Sequence, residues 1–263
     1  MARFPRLPDL LTTANLCCGT GSILLASQGQ LTFACLLVFV AAVFDVFDGA
    51  AARALGGGTP LGTQLDSLAD MVSFGLAPAF AVFVFSGPGH ISDPPLATLA
   101  QPASGLEWPV FAAPIILVIA SCWRLAKFNV DTRQSSGFLG LPTPSNGLFW
   151  ISTVLGSTGV AVHPGPGHEQ LIARAAALLG SPSALLAAAI GMSILMLSEL
   201  PLPALKFKHK GWKGNEVILL LIGIGAVLIA LYGILAVPLL LIIYVLSPLW
   251  GRLITDRLSD QKS

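Results

Sequence analysis

Apolar residues run along this chain in long blocks and not in alternation. Stretches near 10–28, 32–53, 65–86, 108–126, 145–162, 183–203, 216–232 and 236–250 are predominantly apolar. Each is close to the ~20 residues a helix needs to cross a hydrocarbon core at about 1.5 Å per residue. The last two come from one run, 217–250, which as a single helix would be about 51 Å long, well beyond a bilayer. Gly233 after Tyr232, and Pro238, offer the place to break it. The pattern therefore predicts an all-α integral membrane protein, a bundle of about eight transmembrane helices.

The charged positions test that count. With the N-terminus on the cytoplasmic side, all 14 Lys and Arg residues except Arg174 fall in inner segments. That is the bias expected of cytoplasmic loops. Fusing the last two helices would strand Arg252, Arg257 and Lys262 outside, so both termini are expected in the cytoplasm, with the protein in the cell membrane. The outer segments 87–107 and 163–182 are rich in Gly, Pro, Ser and Ala and read as connectors, with a short amphipathic turn at 170–179. The inner Lys-rich cluster 206–213 suits anionic lipid headgroups.

Composition agrees. Hydrophobic residues make up 54% of the chain and charged residues 10%, with a mean hydropathy of +0.81. A soluble domain carries roughly 25% charged residues, so a water-covered globule is excluded. The net charge of +1 names no partner, and no nucleic acid is expected. The four cysteines, Cys17, Cys18, Cys35 and Cys122, lie in apolar text without metal-ligand spacing and read as small packing residues.

Four aspartates break the apolar pattern: Asp45 and Asp48 toward the inner end of the second span, Asp66 and Asp70 toward the same end of the third. Spacings of three and four put each pair on one helix face. The short loop 54–61, with Gly56-Gly57-Gly58 and Pro60, lets the two helices lie side by side. Carboxylates in apolar sequence are costly and usually persist because something binds them. Arg53 is the one basic residue within the motif, so divalent cations are the simplest counter-charge, and oxygen-only ligands point to Mg²⁺ or Mn²⁺. Gly49 and Ala52 leave little bulk beside the carboxylates, and Arg53 is placed to grip a phosphate in bidentate fashion. Two ions on a diphosphate, with a spare carboxylate nearby, suit displacement at phosphorus.

The full pattern is Asp-x₂-Asp-Gly-x₂-Ala-Arg-x₈-Gly-x₃-Asp-x₃-Asp, through Asp45, Asp48, Gly49, Ala52, Arg53, Gly62, Asp66 and Asp70. It resembles the signature of the CDP-alcohol phosphotransferases, a family of membrane enzymes. The flanking text, Asp66-Ser-Leu-Ala-Asp70-Met-Val-Ser73-Phe-Gly75, Arg124-Leu-Ala-Lys127-Phe-Asn129 and Phe138-Leu-Gly140-Leu-Pro142-Thr-Pro144, is most similar to the branch that uses CDP-diacylglycerol and L-serine. The opening Leu7-Pro8-Asp9 with Thr12 and Asn15 resembles the family's first segment. Likeness covers residues 5–150 and marks 1–150 as the catalytic core, with 151–263 the remaining helices of the same single domain.

The resemblance implies that Asp45, Asp48, Asp66 and Asp70 hold the metal ions, with Asp70 also the general base. It implies that Gly49, Ala52, Arg53 and Gly62 line the CDP pocket, where Thr12 and Asn15 are candidates for the cytidine. For the acceptor or a phosphate the candidates are Ser73, Arg124, Lys127, Asn129 and Arg133. Arg124 and Lys127 read equally well as headgroup anchors, and Ser73 as bonded to its own helix backbone. A homodimer is implied as well. Two other readings compete: a sister enzyme using glycerol 3-phosphate, inositol or inositol phosphate, and a cation or proton transporter with acidic residues along its pathway. The histidines, His90, His163, His168 and His209, lie in expected loops, which disfavours histidine-based chemistry.

Overall fold

In this computed structural model the described residues are 6–87, 107–131, 138–160, 162, 166–202 and 216–248. Arg133, the 206–213 cluster and the basic residues beyond 248 lie outside them, as do His90, His163 and His209. Helix α1 (Leu7–Ser27) opens where Pro8 occupies the first turn and the Arg6 amide donates to Asp9 Oδ2 at 2.9 Å. A tight turn at Gly29, φ 77°, returns the chain as α2 (Leu31–Ala54), packed against α1 along its length. A glycine marks the close approach: a Cβ on Gly21 of α1 would lie 3.1 Å from Leu37 Cδ1 of α2.

Thr59 caps the next helix, accepting from the Gly62 amide at 2.9 Å, with Pro60 in the first turn. This helix has three parts: α3 (Pro60–Asp70), a π-helical segment (Met71–Leu76), and α4 (Ala77–Ser86). It is the most buried of the long helices and forms the axis of the bundle. Three neighbours close on the π segment at positions with no room for a side chain. A Cβ on Gly19 of α1 would run into Ser73. One on Gly147 would lie 2.8 Å from the Phe74 carbonyl oxygen, and one on Gly75 would lie 3.1 Å from Ser121.

The remaining elements are α5 (Trp108–Val130), α6 (Thr143–Ser157), α7 (Pro166–Gly180), α8 (Pro182–Leu197) and α9 (Glu216–Tyr232), then a 3-10 turn (Gly233–Leu235) leading into α10 (Ala236–Val245). Phe138–Leu139 and Pro201–Leu202 pair as a two-residue antiparallel ladder that ties the entry of α6 to the exit of α8. The main core joins Val38, Phe74, Val82, Trp150 and Leu185, so residues before and after position 150 share one packed interior. A second cluster gathers Leu141, Met196, Leu202, Leu221 and Tyr244.

The protein is a helical membrane protein. Among the described residues five helical stretches are long and apolar enough to span a membrane, or six if the bent pair α7–α8 is one span. One of the five, Ile218–Val245, reverses direction. A Cβ on Gly225 would sit 3.1 Å from Leu240 Cδ2, whereas a straight helix would hold these positions about 22 Å apart. Gly233, at φ 57°, makes the turn.

Two expected spans are shorter than the apolar text suggests. Helix α6 ends at Ser157, where Gly159 takes φ 73°, and α8 ends at Leu197, before the ladder begins. The turn expected at 170–179 is a full helix, α7, meeting α8 at 90°. Leu179 is buried in the core there, and that packing extends the local amphipathic signal. His168 lies on this helix, its ring 5.2 Å from that of Tyr232. All four cysteines are free thiols, but only Cys35 is buried, while Cys17 and Cys122 face outward.

Candidate functional site

The aspartates gather where α1, α2 and α3 converge. Asp45, Asp48 and Asp66 each offer a carboxylate oxygen, and these lie within 4.8 Å of one another. Asp48 and Asp70 are buried, and Asp45 and Asp66 half-buried. Among the described residues no basic side chain forms an ion pair with any of the four. Three anionic oxygens held this close and unneutralised are the donor set of a hard divalent cation, so the residues fit Mg²⁺ or Mn²⁺.

Helix α1 fixes the cluster from behind. Thr12 Oγ1 lies 2.7 Å from Asp48 Oδ2, to which it donates, and 3.0 Å from the Pro8 carbonyl oxygen of its own helix. Asn15 Nδ2 donates to Asp70 Oδ1 at 3.2 Å. Ser73 donates to the Asn15 carbonyl at 3.0 Å, so its hydroxyl bonds a neighbouring helix and not its own backbone. Asn15 and Ser73 are fully buried.

Two cavities meet at the carboxylates. The first is a cleft of about 200 Å³ lined by Thr12, Asp45, Asp48, Gly49, Ala52, Gly62 and Asp66. Arg6, Asp9, Thr59 and Thr63 complete its rim. Of these, Asp9 belongs to the family-like opening segment, whereas Arg6, Thr59 and Thr63 carry no motif signal, although Arg6 with Asp9, and Thr59 with Gly62, are legible as helix starts. Arg53, expected in this pocket, is exposed and is not among its lining residues; its Nη1 lies 3.3 Å from where a Gly49 Cβ would stand, so the missing side chain leaves space for the guanidinium beside Gly49. Gly62 is confined in the same way: its Cβ would meet Thr59 Oγ1 at 3.1 Å and Asp9 Oδ1 at 3.2 Å. The backbone at Gly56 and Gly57, φ 90° and 109°, turns through the left-handed region to bring α3 alongside α2.

The second cavity, about 160 Å³, is lined by Asp66, Ser67, Asp70, Arg124, Phe128 and Thr143, with Leu125, Pro142 and Pro144. Asp66 therefore borders both spaces, while Asp70 faces the second. Arg124 is buried, donates Nε–H to the Leu141 carbonyl at 3.2 Å and lies over the Phe128 ring at 5.7 Å. The other acceptor candidates go elsewhere. Lys127 pairs with Glu199 at 3.6 Å, and Asn129 Oδ1 accepts from Ser67 at 3.1 Å. Neither lines either cavity, and Arg133 lies outside the described residues.

This arrangement can hold divalent metal at a cleft open to a ligand. It also presents a separate carboxylate, Asp70, to a second small cavity that contains a guanidinium.

Comparison with known proteins gives the same class. Residues 6–199 match the CDP-alcohol phosphatidyltransferase family. The chain is 29% identical to the CDP-diacylglycerol–serine O-phosphatidyltransferase of Helicobacter pylori over 226 residues, 84% of this chain and 81% of that one. It is 30% identical to the enzyme of that name from Bacillus subtilis over 142 residues, 54% of this chain and 71% of that one. With the archaetidylserine synthase of Methanothermobacter thermautotrophicus it shares 34% identity over 143 residues, about half the length of each chain.

Proposed function

Since the chain belongs to the CDP-alcohol phosphatidyltransferase family, we propose that it transfers the phosphatidyl group of CDP-diacylglycerol to the hydroxyl of L-serine, giving phosphatidylserine and CMP. The observation that carries this reading is the position of Asp66 on the wall between the two cavities, with Asp70 on the Arg124 side. A nucleotide in the first cleft and an alcohol in the second would then meet at the carboxylates. The relatives named above, each a serine phosphatidyltransferase or an archaetidylserine synthase by name, support that alcohol.

The nucleotide cleft has Gly49 and Ala52 as a low wall, with Arg53 beside Gly49, and Thr12 and Gly62 at its sides. Asp45, Asp48 and Asp66, with Asp70 adjoining, would hold two divalent ions, Mg²⁺ or Mn²⁺. When bound, these neutralise the diphosphate and stabilise the charge that develops on displacement. In the second cavity the Arg124 guanidinium binds the serine carboxylate and orients the hydroxyl toward Asp70. Asp70 takes the hydroxyl proton as the serine oxygen bonds to the phosphorus that carries diacylglycerol. The bond from that phosphorus to the bridging oxygen breaks, and the electron pair leaves with CMP. Asn15 holds Asp70 in place for this transfer, and Thr12 holds Asp48.

The finer features belong to the same proposal: eight membrane crossings, both termini and the active site on the cytoplasmic side, and a homodimer. The distribution of basic residues along the chain supports the orientation, as do Arg6, Arg53 and Arg124 at the aspartate end. Purified protein supplied with CDP-diacylglycerol, Mg²⁺ or Mn²⁺, and each of serine, glycerol 3-phosphate, inositol and inositol phosphate tests the reaction. CMP release with serine is expected. Turnover of another alcohol with none on serine would sink the assignment.

A further inference from the structure

The second cavity contains one polar group that the mechanism above does not use. Thr143, the first residue of α6, lines the cavity with Asp70 and Arg124 and is 1% exposed, and its buried hydroxyl has no hydrogen-bond partner among the described residues. A buried hydroxyl left unpaired is destabilising, and a ligand in the cavity would remove that cost. The amino end of α6 has no side-chain cap, since Pro142 occupies the cap position. The first-turn amides of a helix have no intrahelical acceptors, and the macrodipole there favours negative charge. The cavity is thus polarised. Helix α3 brings the carboxylates Asp66 and Asp70, whereas α5 brings a cation and the start of α6 a donor and a positive helix end.

We propose that Thr143 is a specificity-determining residue: its hydroxyl, with the amino end of α6 and Arg124, binds the carboxylate of an amino-acid acceptor. This rests on the proposed function and deepens it. The cavity holds about five waters at ~30 Å³ each, which suits a small zwitterion whose hydroxyl end meets Asp70 and whose carboxylate end meets Thr143. An acceptor without a carboxylate would leave the Thr143 hydroxyl and Arg124 without a ligand, and such unpaired groups are how a polar site rejects a truncated substrate.

The test uses the full-length protein with Thr143→Val, which keeps the shape and removes the hydroxyl, and with Thr143→Ser, which keeps the hydroxyl. KM for serine, KM for CDP-diacylglycerol and kcat are measured, and serinol serves as an acceptor that lacks the carboxylate. Thr143→Val is expected to raise KM for serine about tenfold, the loss of one hydrogen bond to a charged group. The KM for CDP-diacylglycerol should stay within about twofold of wild type, while the preference for serine over serinol shrinks by about the same tenfold factor. Thr143→Ser should restore both. Should the valine variant not fold, Thr143→Ala reads the same quantities. An unchanged KM for serine in a protein that does use serine overturns the role of Thr143 alone. Equal rises in both KM values, or a serine variant as impaired as the valine one, assign Thr143 a structural part and also overturn it. Wild-type protein that releases no CMP with serine overturns the reading of function, and this proposal with it.

Discussion

Replacing Asn15 with Leu separates two jobs that a residue in this position could have. The two side chains share the same four-atom branched outline, so the change removes the amide while keeping the shape. The amide makes one side-chain bond, from Nδ2 to Asp70 at 3.2 Å, while its oxygen is buried with no partner. Stability should change little for that reason, because the substitution also removes a desolvated carbonyl worth on the order of 1–3 kcal/mol when unpaired. Ser73 bonds the Asn15 backbone and keeps its acceptor. What is lost is a donor to a carboxylate, an interaction of about 1.5–3 kcal/mol. If its effect is to hold Asp70 toward the attacking hydroxyl, kcat should fall by about 10- to 150-fold at 1.4 kcal/mol per decade. Asn15 does not line the nucleotide cleft, so the KM for CDP-diacylglycerol should stay within about twofold. CMP release in mixed micelles, with each substrate varied in turn, gives both constants. A variant with full kcat and a raised KM for CDP-diacylglycerol would put Asn15 on the nucleotide and refute the positioning role.

Other expectations are simpler to state. Gly147→Ala places a methyl group 2.8 Å from the Phe74 carbonyl oxygen and 3.0 Å from its Cα; overpacking against backbone should cost about 1–3 kcal/mol. It should be visible as a lowered Tm in detergent, and an unchanged Tm would show that the π segment has slack. Lys127→Ala removes a partly exposed ion pair with Glu199, 3.6 Å long, and such pairs contribute about 0–1 kcal/mol. KM for serine should therefore stay within about twofold of wild type; a tenfold rise would return Lys127 to the acceptor site.

The site's acidic half was legible in the sequence because helical spacing is a local property. Three and four residues between aspartates fix a shared face whatever the rest of the chain does. The reversal at Gly233 was legible too, because a bilayer limits how long one apolar helix can be. Residues whose roles depend on remote partners were not. Lys127 sits beside Arg124 in the text, yet its partner is Glu199, just past the end of α8. Asn15 belongs to a recognisable opening segment, but its contact with Asp70 exists only once α1 packs against α3. Thr143 lies within the family-like stretch 138–144, but its role was not legible, since an unpaired hydroxyl has meaning only when a cavity forms around it. The length of α7 depended on Leu179 reaching the core, which no local pattern contains.

The π segment between Asp70 and Ala77 separates the phasing of the two ends of the central helix. In an unbroken α-helix each residue advances the face by about 100°, so the direction of Asp66 and Asp70 would be locked to that of Val82 and Phe85. The wide turn takes up one residue without advancing the face as an α-helical residue would. The carboxylates can thereby point at α1 and α2 while the apolar half keeps its own alignment with the core. Gly19, Gly147 and Gly75 fit closely against that turn and hold the setting. Winding all six residues of 71–76 as ordinary α-helix would swing the acidic face by about 100° relative to a core that could not follow. The winding of this short apolar stretch thus sets where the aspartates of the candidate site point.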